Sequence, residues 1–372
     1  MNQTPRIKLS EDQSGMASIL ITMISMIVIA LIVAGFTQIS LHEQRAALDK
    51  VLSTQALDAA ESGVNDAQHT IEANIQSNTP IPAKTTCSGS DANYPSNPNL
   101  DPTHNIRYTC LLVDPQPLSL VYSSISDQSK IVQVQSINTM GPYNIQTLVL
   151  SWQDTTLPSS NFACSGNNYP YFPPMSGWNC SAGVIRMDIV PFNDPSSDRV
   201  VFLYPTASNT QNGYGTLDYA DSSKNGSVIP AQCYSTNDAV TMPNMCNVAI
   251  YDLSTDNDGG YFIRLKALYG NQTVTITAPT GNNDAGAIQC IATAPHCNLF
   301  NFINDQVLVD STGQAQDVLK RLQVRIPINP LDSNIVPNAA IQSTNSICKK
   351  FFAIPSTDTL VDTAPGDCST NP

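Results

Sequence analysis

The chain has 372 residues, with 17 Lys and Arg against 30 Asp and Glu and a net charge of -13. That balance argues against a nucleic-acid partner, because releasing counterions from phosphates needs a basic face and the few cations are spread along the whole chain. Ten cysteines with no Cys-x-x-Cys pair argue against a zinc ribbon or a dithiol redox site and point to structural disulfides in an oxidising compartment.

The first 15 residues form a polar leader that carries two bases, Arg6 and Lys8, and two acids, Glu11 and Asp12, and ends on Gly15. From Met16 an apolar run begins, and no charged side chain occurs between Gln13 and Leu41. About 20 apolar residues match a hydrocarbon core of about 30 Å. In lipid every backbone amide must be satisfied within the segment, so the run is predicted to be helical despite its Ile and Val content. No second such run follows, so a single span over residues 16–40 anchors the chain. The side bearing Arg6 and Lys8 stays cytoplasmic, which leaves about 330 residues outside. A cleaved signal peptide fits poorly: its apolar core is 7 to 15 residues, and the acids in front of this run spoil the basic region such a peptide has. Val33-Ala34-Gly35 could still pass as a small-residue cleavage site. A plain uncleaved anchor accounts for the hydropathy equally well.

After the span the sequence runs to residue 79 without a proline, and Leu48, Leu52, Ala56, Ala59, Gly63, Ala67, Ile71 and Ile75 recur every three or four positions. This spacing predicts one face of a helix continuous with the span, ending near residue 76. The face is built largely from Ala and Gly, which admits a close approach by another backbone, either a packed sheet or a neighbouring helix. Taken from Met16 to about Ile75, the rod is roughly 90 Å long at 1.5 Å per residue.

Residues 77–105, rich in Pro, Asn, Asp and Ser, read as a connecting loop stapled by Cys87. Strand-like runs follow at 106–113, 130–137 and 145–153, and these three are expected to form an antiparallel sheet on the helix, so that residues 77–155 make a loop and sheet. From 156 to 372 further β-type runs (183–192, 199–205, 248–253, 261–270, 273–279 and 322–328) predict a β-rich C-terminal region, a sandwich or an enlarged head. The fold class is therefore α+β: a long N-terminal helix, its first half transmembrane, followed by a disulfide-rich antiparallel β head. Read in order, the cysteines fall into neighbouring pairs: Cys87 with Cys110, Cys164 with Cys180, Cys233 with Cys246, Cys290 with Cys297 and Cys348 with Cys368. Each such bridge would close a short loop.

The leader ending in Gly15, the apolar run starting at Met16 and the amphipathic continuation of the same helix resemble a type IV prepilin. The stretch QALDAAESGVNDA, Gln55 to Ala67, is similar to a segment of PilX-type minor pilins. More weakly, residues 309–326 resemble C-terminal segments of such proteins. The resemblance implies that a prepilin peptidase cuts between Gly15 and Met16, and that Met16 becomes the new N-terminus. It also implies that other pilin subunits are partners through the N-terminal helix. Major pilins usually carry Glu at the fifth mature position, whereas Leu20 stands here. Losing that carboxylate removes a register-setting device of a filament core, and Ser18 and Thr22 do not replace it. The expectation is a minor subunit of a type IV pilus or related filament, with its place at the tip or in the shaft left open. It would sit in the inner or cytoplasmic membrane before assembly and on the cell surface afterwards, with its head extracellular. Two other readings stand beside it: a pseudopilin of a type II secretion system, and a single-pass surface adhesin or enzyme without filament partners.

No catalytic motif is legible. Gly-x-Ser-x-Gly and Gly-x-x-x-x-Gly-Lys are absent, and His42-Glu43 is followed by Ala46 where a zinc-protease helix needs its second histidine. His69 is expected on a helix surface, and His296 beside Cys297 within a disulfide loop. Around Asp256, Asp258 and Gly259 a calcium loop is contradicted by Ser254 and Leu265 at carboxylate positions. The expectation is a non-enzyme with no cofactor and no metal. Two features are candidates for binding. The loop between Cys164 and Cys180 concentrates Tyr169, Tyr171, Phe172 and Trp178 among prolines, either as a rigid recognition surface or as rings that plug a core. The basic run Lys320, Arg321 and Arg325 reads as a solvated face or as a partner for an acidic neighbour.

Overall fold

A computed structural model describes residues 14–87, 92–95, 99–125, 129–136, 145–154, 172–178, 180–194, 197–207, 215–234, 245–253, 260–280 and 298–328. The chain divides into two compact units. Unit 1 takes residues up to Pro117 together with Gln306–Ile328, and unit 2 contains Leu118–Asp305.

Unit 1 is built on one helix, α1 (Ser14–Gln76), of 63 residues, about 95 Å long at 1.5 Å per residue. It runs through residue 40 without a break. Its apolar part is long enough to cross a membrane, and the side chains from Ile19 to Leu41 are exposed. Its second part buries Leu52, Ala56, Ala59, Ala60, Val64, Ala67 and Ile71.

These residues pack on a four-stranded antiparallel sheet in the order β1-β2-β13-β14. Its strands are β1 (Asn99–Asp101), β2 (Ile106–Asp114), β13 (Gln306–Ala315) and β14 (Val318–Pro327). Of the three strands expected on the helix, only the first is there. Residues 130–134 and 148–154 belong to unit 2, and their places are taken by a hairpin more than 190 residues further along the chain. Short-range strand spacing reveals hairpins, but it carries no information on which strands a distant segment joins.

The helix and sheet meet through missing side chains. A Cβ added to Gly313 of β13 would lie 3.0 Å from the Ala59 carbonyl carbon and closer still to the Ala56 oxygen and Ala60 nitrogen. On the other side, Gly63 faces Ser311 and Tyr108. Small residues at 56, 59, 60 and 63 therefore admit the sheet backbone itself. A core of Val64, Ala67, Ile71, Tyr94, Tyr108, Leu111, Val113, Val307 and Val309 continues the contact. At the other end of the sheet, the Ala315/Val318 turn packs on Leu52 and Ala56. Leu48, one turn beyond, is 58% exposed, a departure from the predicted face because the sheet stops before reaching it. Ile75 is exposed at the opposite end.

The loop after the helix is stitched back to β2. Lys84 and Val113 exchange backbone hydrogen bonds of 2.8 and 2.9 Å, the Tyr94 hydroxyl donates to the Pro82 carbonyl at 2.7 Å, and Cys87 is bonded to Cys110.

Among the described residues, unit 2 is a ten-stranded sheet. Its strands are β3 (Ser119–Ile125), β4 (Lys130–Val134), β5 (Leu148–Asp154), β6 (Val184–Pro191), β7 (Arg199–Ala207), β8 (Thr216–Asp218), β9 (Val228–Tyr234), β10 (Met245–Tyr251), β11 (Tyr261–Leu268) and β12 (Gln272–Thr277). The order is β3-β12-β5-β10-β9-β7-β6-β11-β4, with β8 beside β10. The expected all-antiparallel head is in fact mixed: β7 with β9 and β8 with β10 are parallel. Parallel neighbours need a crossover rather than a tight turn, and the chain between β7 and β9 supplies one that includes β8.

The sheet curls around one core that includes Leu120, Val132, Leu150, Trp152, Met187, Leu203, Val248, Tyr261 and Phe302. The buried Trp152 indole donates to the Gly183 carbonyl at 2.9 Å. Residues 298–305 fasten the two sheet edges. They bond to Ala278 and Thr280 beyond β12 and to Gln135 beyond β4. Asp305 then accepts the Tyr122 hydroxyl from β3 and the Gln133 amide, at 2.9 Å, from β4. One carboxylate thus joins strands at opposite ends of the sheet order.

Candidate functional site

The apolar half of α1 presents a surface with almost no polar demand. Three of its hydroxyls bond to their own helix: Thr22 Oγ1 donates to the Ile19 carbonyl at 2.8 Å, Ser25 Oγ to Thr22 at 2.9 Å and Thr37 Oγ1 to Val33 at 2.8 Å. Leu20 is exposed among Ile19, Ile21, Met23 and Ile24. Gly15 and Met16 lie in the first turn of the helix. Residues 1–13 lie outside the described residues.

Of the predicted packing residues, Leu52, Ala56, Ala59 and Gly63 are brought together under the sheet, whereas Leu48 is not. Below Gly63, the buried Tyr108 ring donates its hydroxyl to Asp66 Oδ2 at 2.9 Å. Burial, and then this carboxylate, raise the Tyr108 pKa. This second-half helix contact was legible in the periodicity, but the tyrosine was not, because nothing in the local sequence ties residue 108 to residue 66.

Cys233 is bonded to Cys246, and the two stand directly opposite on β9 and β10. Cys180 is also disulfide-bonded. Cys164, Cys290, Cys297, Cys348 and Cys368 lie outside the described residues, as do Tyr169, Tyr171, His296 and the turn at Asp256 and Asp258.

The described part of the aromatic loop lies on the face of the unit 2 sheet opposite its core. Trp178 stacks on Tyr269 with centroids 4.1 Å apart and meets Tyr204 edge-on at 5.8 Å. Phe172 meets Phe202 and Tyr204 at 6.4 and 5.8 Å, and the Tyr269 hydroxyl holds the Pro173 carbonyl at 2.8 Å. These rings therefore cover outward-facing residues of β7 rather than plugging the inner core.

The basic run divides. Arg321 makes a two-pronged pair with Asp310 on the neighbouring strand, Nε lying 2.8 and 2.9 Å from the two oxygens, and that carboxylate raises its pKa. Arg321 is therefore paired within the unit 1 sheet although its side chain is exposed.

A charged cluster that the sequence did not reveal sits on the outer face of unit 2. Asp188 on β6 accepts Arg186 Nε at 2.9 Å and Nη2 at 3.1 Å, and Arg264 Nη1 from β11 at 3.2 Å. Burial lowers the Arg264 pKa, with Asp188 opposing that shift. The alternation Arg186-Met187-Asp188 in a strand was the one available signal, but the partner at 264 is set by register alone.

His42 and His69 are exposed on α1. Among the described residues no group of three His, Cys, Asp or Glu side chains is placed to hold a metal. Comparisons with family models, curated proteins and solved structures yield no match.

Proposed function

We propose that the chain is a minor subunit of a type IV pilus or related filament, tethered in the membrane by the apolar half of α1 until assembly. The observation that carries this reading is the single unbroken helix: one half is apolar and exposed, and the other is locked onto a disulfide-stapled sheet. A simple tether has no need of a rigid extension into a folded domain, whereas a subunit that must stack on its neighbours does. The Thr22, Ser25 and Thr37 hydroxyls, already bonded to their own helix, can exchange lipid for other helices without being stranded. Lipid and packed helices are equally apolar, so close packing and an assembly motor must drive that exchange. Leu20, in place of a carboxylate, suits a subunit that does not set the register of a shaft.

In this reading a prepilin peptidase removes the leader after Gly15. Mass spectrometry of the protein purified from its host should find a mature chain beginning at Met16. A mature chain that still carries Gly15 and the leader would overturn the filament reading and leave a tethered surface protein. If deletion abolishes protein secretion while surface filaments persist, the subunit belongs to a secretion pseudopilus instead.

A further inference from the structure

We propose that the outer face of the unit 2 sheet binds an acidic saccharide, with Lys266 and Arg186 taking its carboxylates and the adjoining aromatic rings taking its sugar face. Lys266, Arg186 and Phe202 are directly opposed on three adjacent strands, β11, β6 and β7. They therefore form one row on one face, with strands about 4.8 Å apart. The alternate residues Met187, Leu203 and Leu265 point into the core, so this row points away from it.

Arg264 stands beside the row, directly opposite Asp188. Two of these three cations, Arg186 and Arg264, pair with Asp188, on a chain whose net charge is -13. Asp188 engages Arg186 through Nε and Nη2, which leaves Arg186 Nη1 to point elsewhere, and the Arg186 side chain is 37% exposed. Lys266 is half-buried and makes no ion pair among the described residues. At the end of the row Phe172, 42% exposed, sits over Phe202 and Tyr204.

The chemistry distinguishes between acidic partners. β6, β7 and β11 each have a bonded neighbour on both sides, so the face offers no backbone donors to an incoming peptide strand, which docks on sheet edges. What it offers is side chains alone: a guanidinium and an ammonium for anionic oxygens, and beside them an aromatic surface for an apolar ring face. A sugar bearing a carboxylate presents both within one unit.

The test uses the full-length protein in detergent micelles, titrated calorimetrically with oligogalacturonate. Its methyl ester, which is the same chain without charge, and polyglutamate, which has the charge without a sugar, serve as the comparison probes. Oligogalacturonate is expected to bind at least about tenfold more tightly than either, with an affinity that falls as salt is added. Lys266→Gln should weaken it about tenfold, the loss of one charge-assisted hydrogen bond, and Phe172→Ala several-fold, with both variants melting as the parent does. Absence of oligogalacturonate binding, or parental affinity in both variants, overturns the proposal. Equal binding of polyglutamate also overturns it and assigns the face to an acidic protein.

Discussion

Replacing Gly313 with alanine adds one methyl group at the point where β13 touches α1. Its position would be 3.0 Å from the carbonyl carbon of Ala59 and nearer still to backbone atoms of Ala56 and Ala60, against an ordinary contact of 3.4 Å or more. The obstacles are helix backbone, which cannot rotate aside, so sheet and helix must part by roughly 1 Å. A gap of that size forfeits a quarter to a half of the dispersion energy along the seam, and overpacking of this kind costs about 3 kcal/mol. For a unit of this size that is a fall of about 10 °C in melting temperature. The disruption is local, so the sharpest assay is hydrogen exchange in peptides spanning residues 52–71, which should lose protection while β5 and β10 in unit 2 keep theirs. Gly63→Ala provides the contrast. Its new methyl meets the Ser311 hydroxyl, which is buried and has no hydrogen-bond partner among the described residues, and a helical Gly→Ala change returns about 0.5–1 kcal/mol. Combining Gly63→Ala with Ser311→Ala should therefore recover most of what Gly63→Ala loses. If Gly313→Ala melts within about 2 °C of the parent with unchanged protection, the close backbone contact is not what holds the sheet on the helix.

Asp305 offers a pH test. Burial raises its pKa against the opposing hydrogen bonds from Tyr122 and Gln133, so the folded state holds the proton more tightly than the unfolded one. Its contribution is fully present below the unfolded value of about 3.9 and is lost as pH rises through the folded value. Asp305→Asn keeps an acceptor for the Gln133 amide and should flatten this component. Relative to the variant, the parent should be more stable near pH 4 than near pH 7, and parallel pH profiles in urea denaturation would refute the assignment. Asp188→Ala strands two guanidiniums, one of them on the buried Arg264, and is expected to cost about 3 kcal/mol. Double substitution with Arg264→Met should cost less than the single change, and additive losses in the same denaturation assay would show that the pair is not coupled.

The long helix, its apolar first half and its small-sided second half were legible in the sequence, because helical periodicity and the lack of charge are local properties of consecutive residues. Two cysteine pairs, at 87 and 110 and at 233 and 246, were legible for the same reason: short loops bring neighbours together. Most strands could be located from alternation, but β1, β3, β8 and β9 could not, and neither could β13. Its run Asp310-Ser311-Thr312-Gly313-Gln314 lacks the apolar alternation of a buried strand. The tertiary structure supplies the reason: the helix backbone occupies the space where larger side chains would stand, so glycine and serine are the residues that fit. The same holds for the Lys266, Arg186 and Phe202 row, whose members lie as much as 80 residues apart and meet only because β11, β6 and β7 pair in one register. Sequence therefore decided what each segment is, while pairing across large separations, which depends on the whole chain at once, decided what each segment faces.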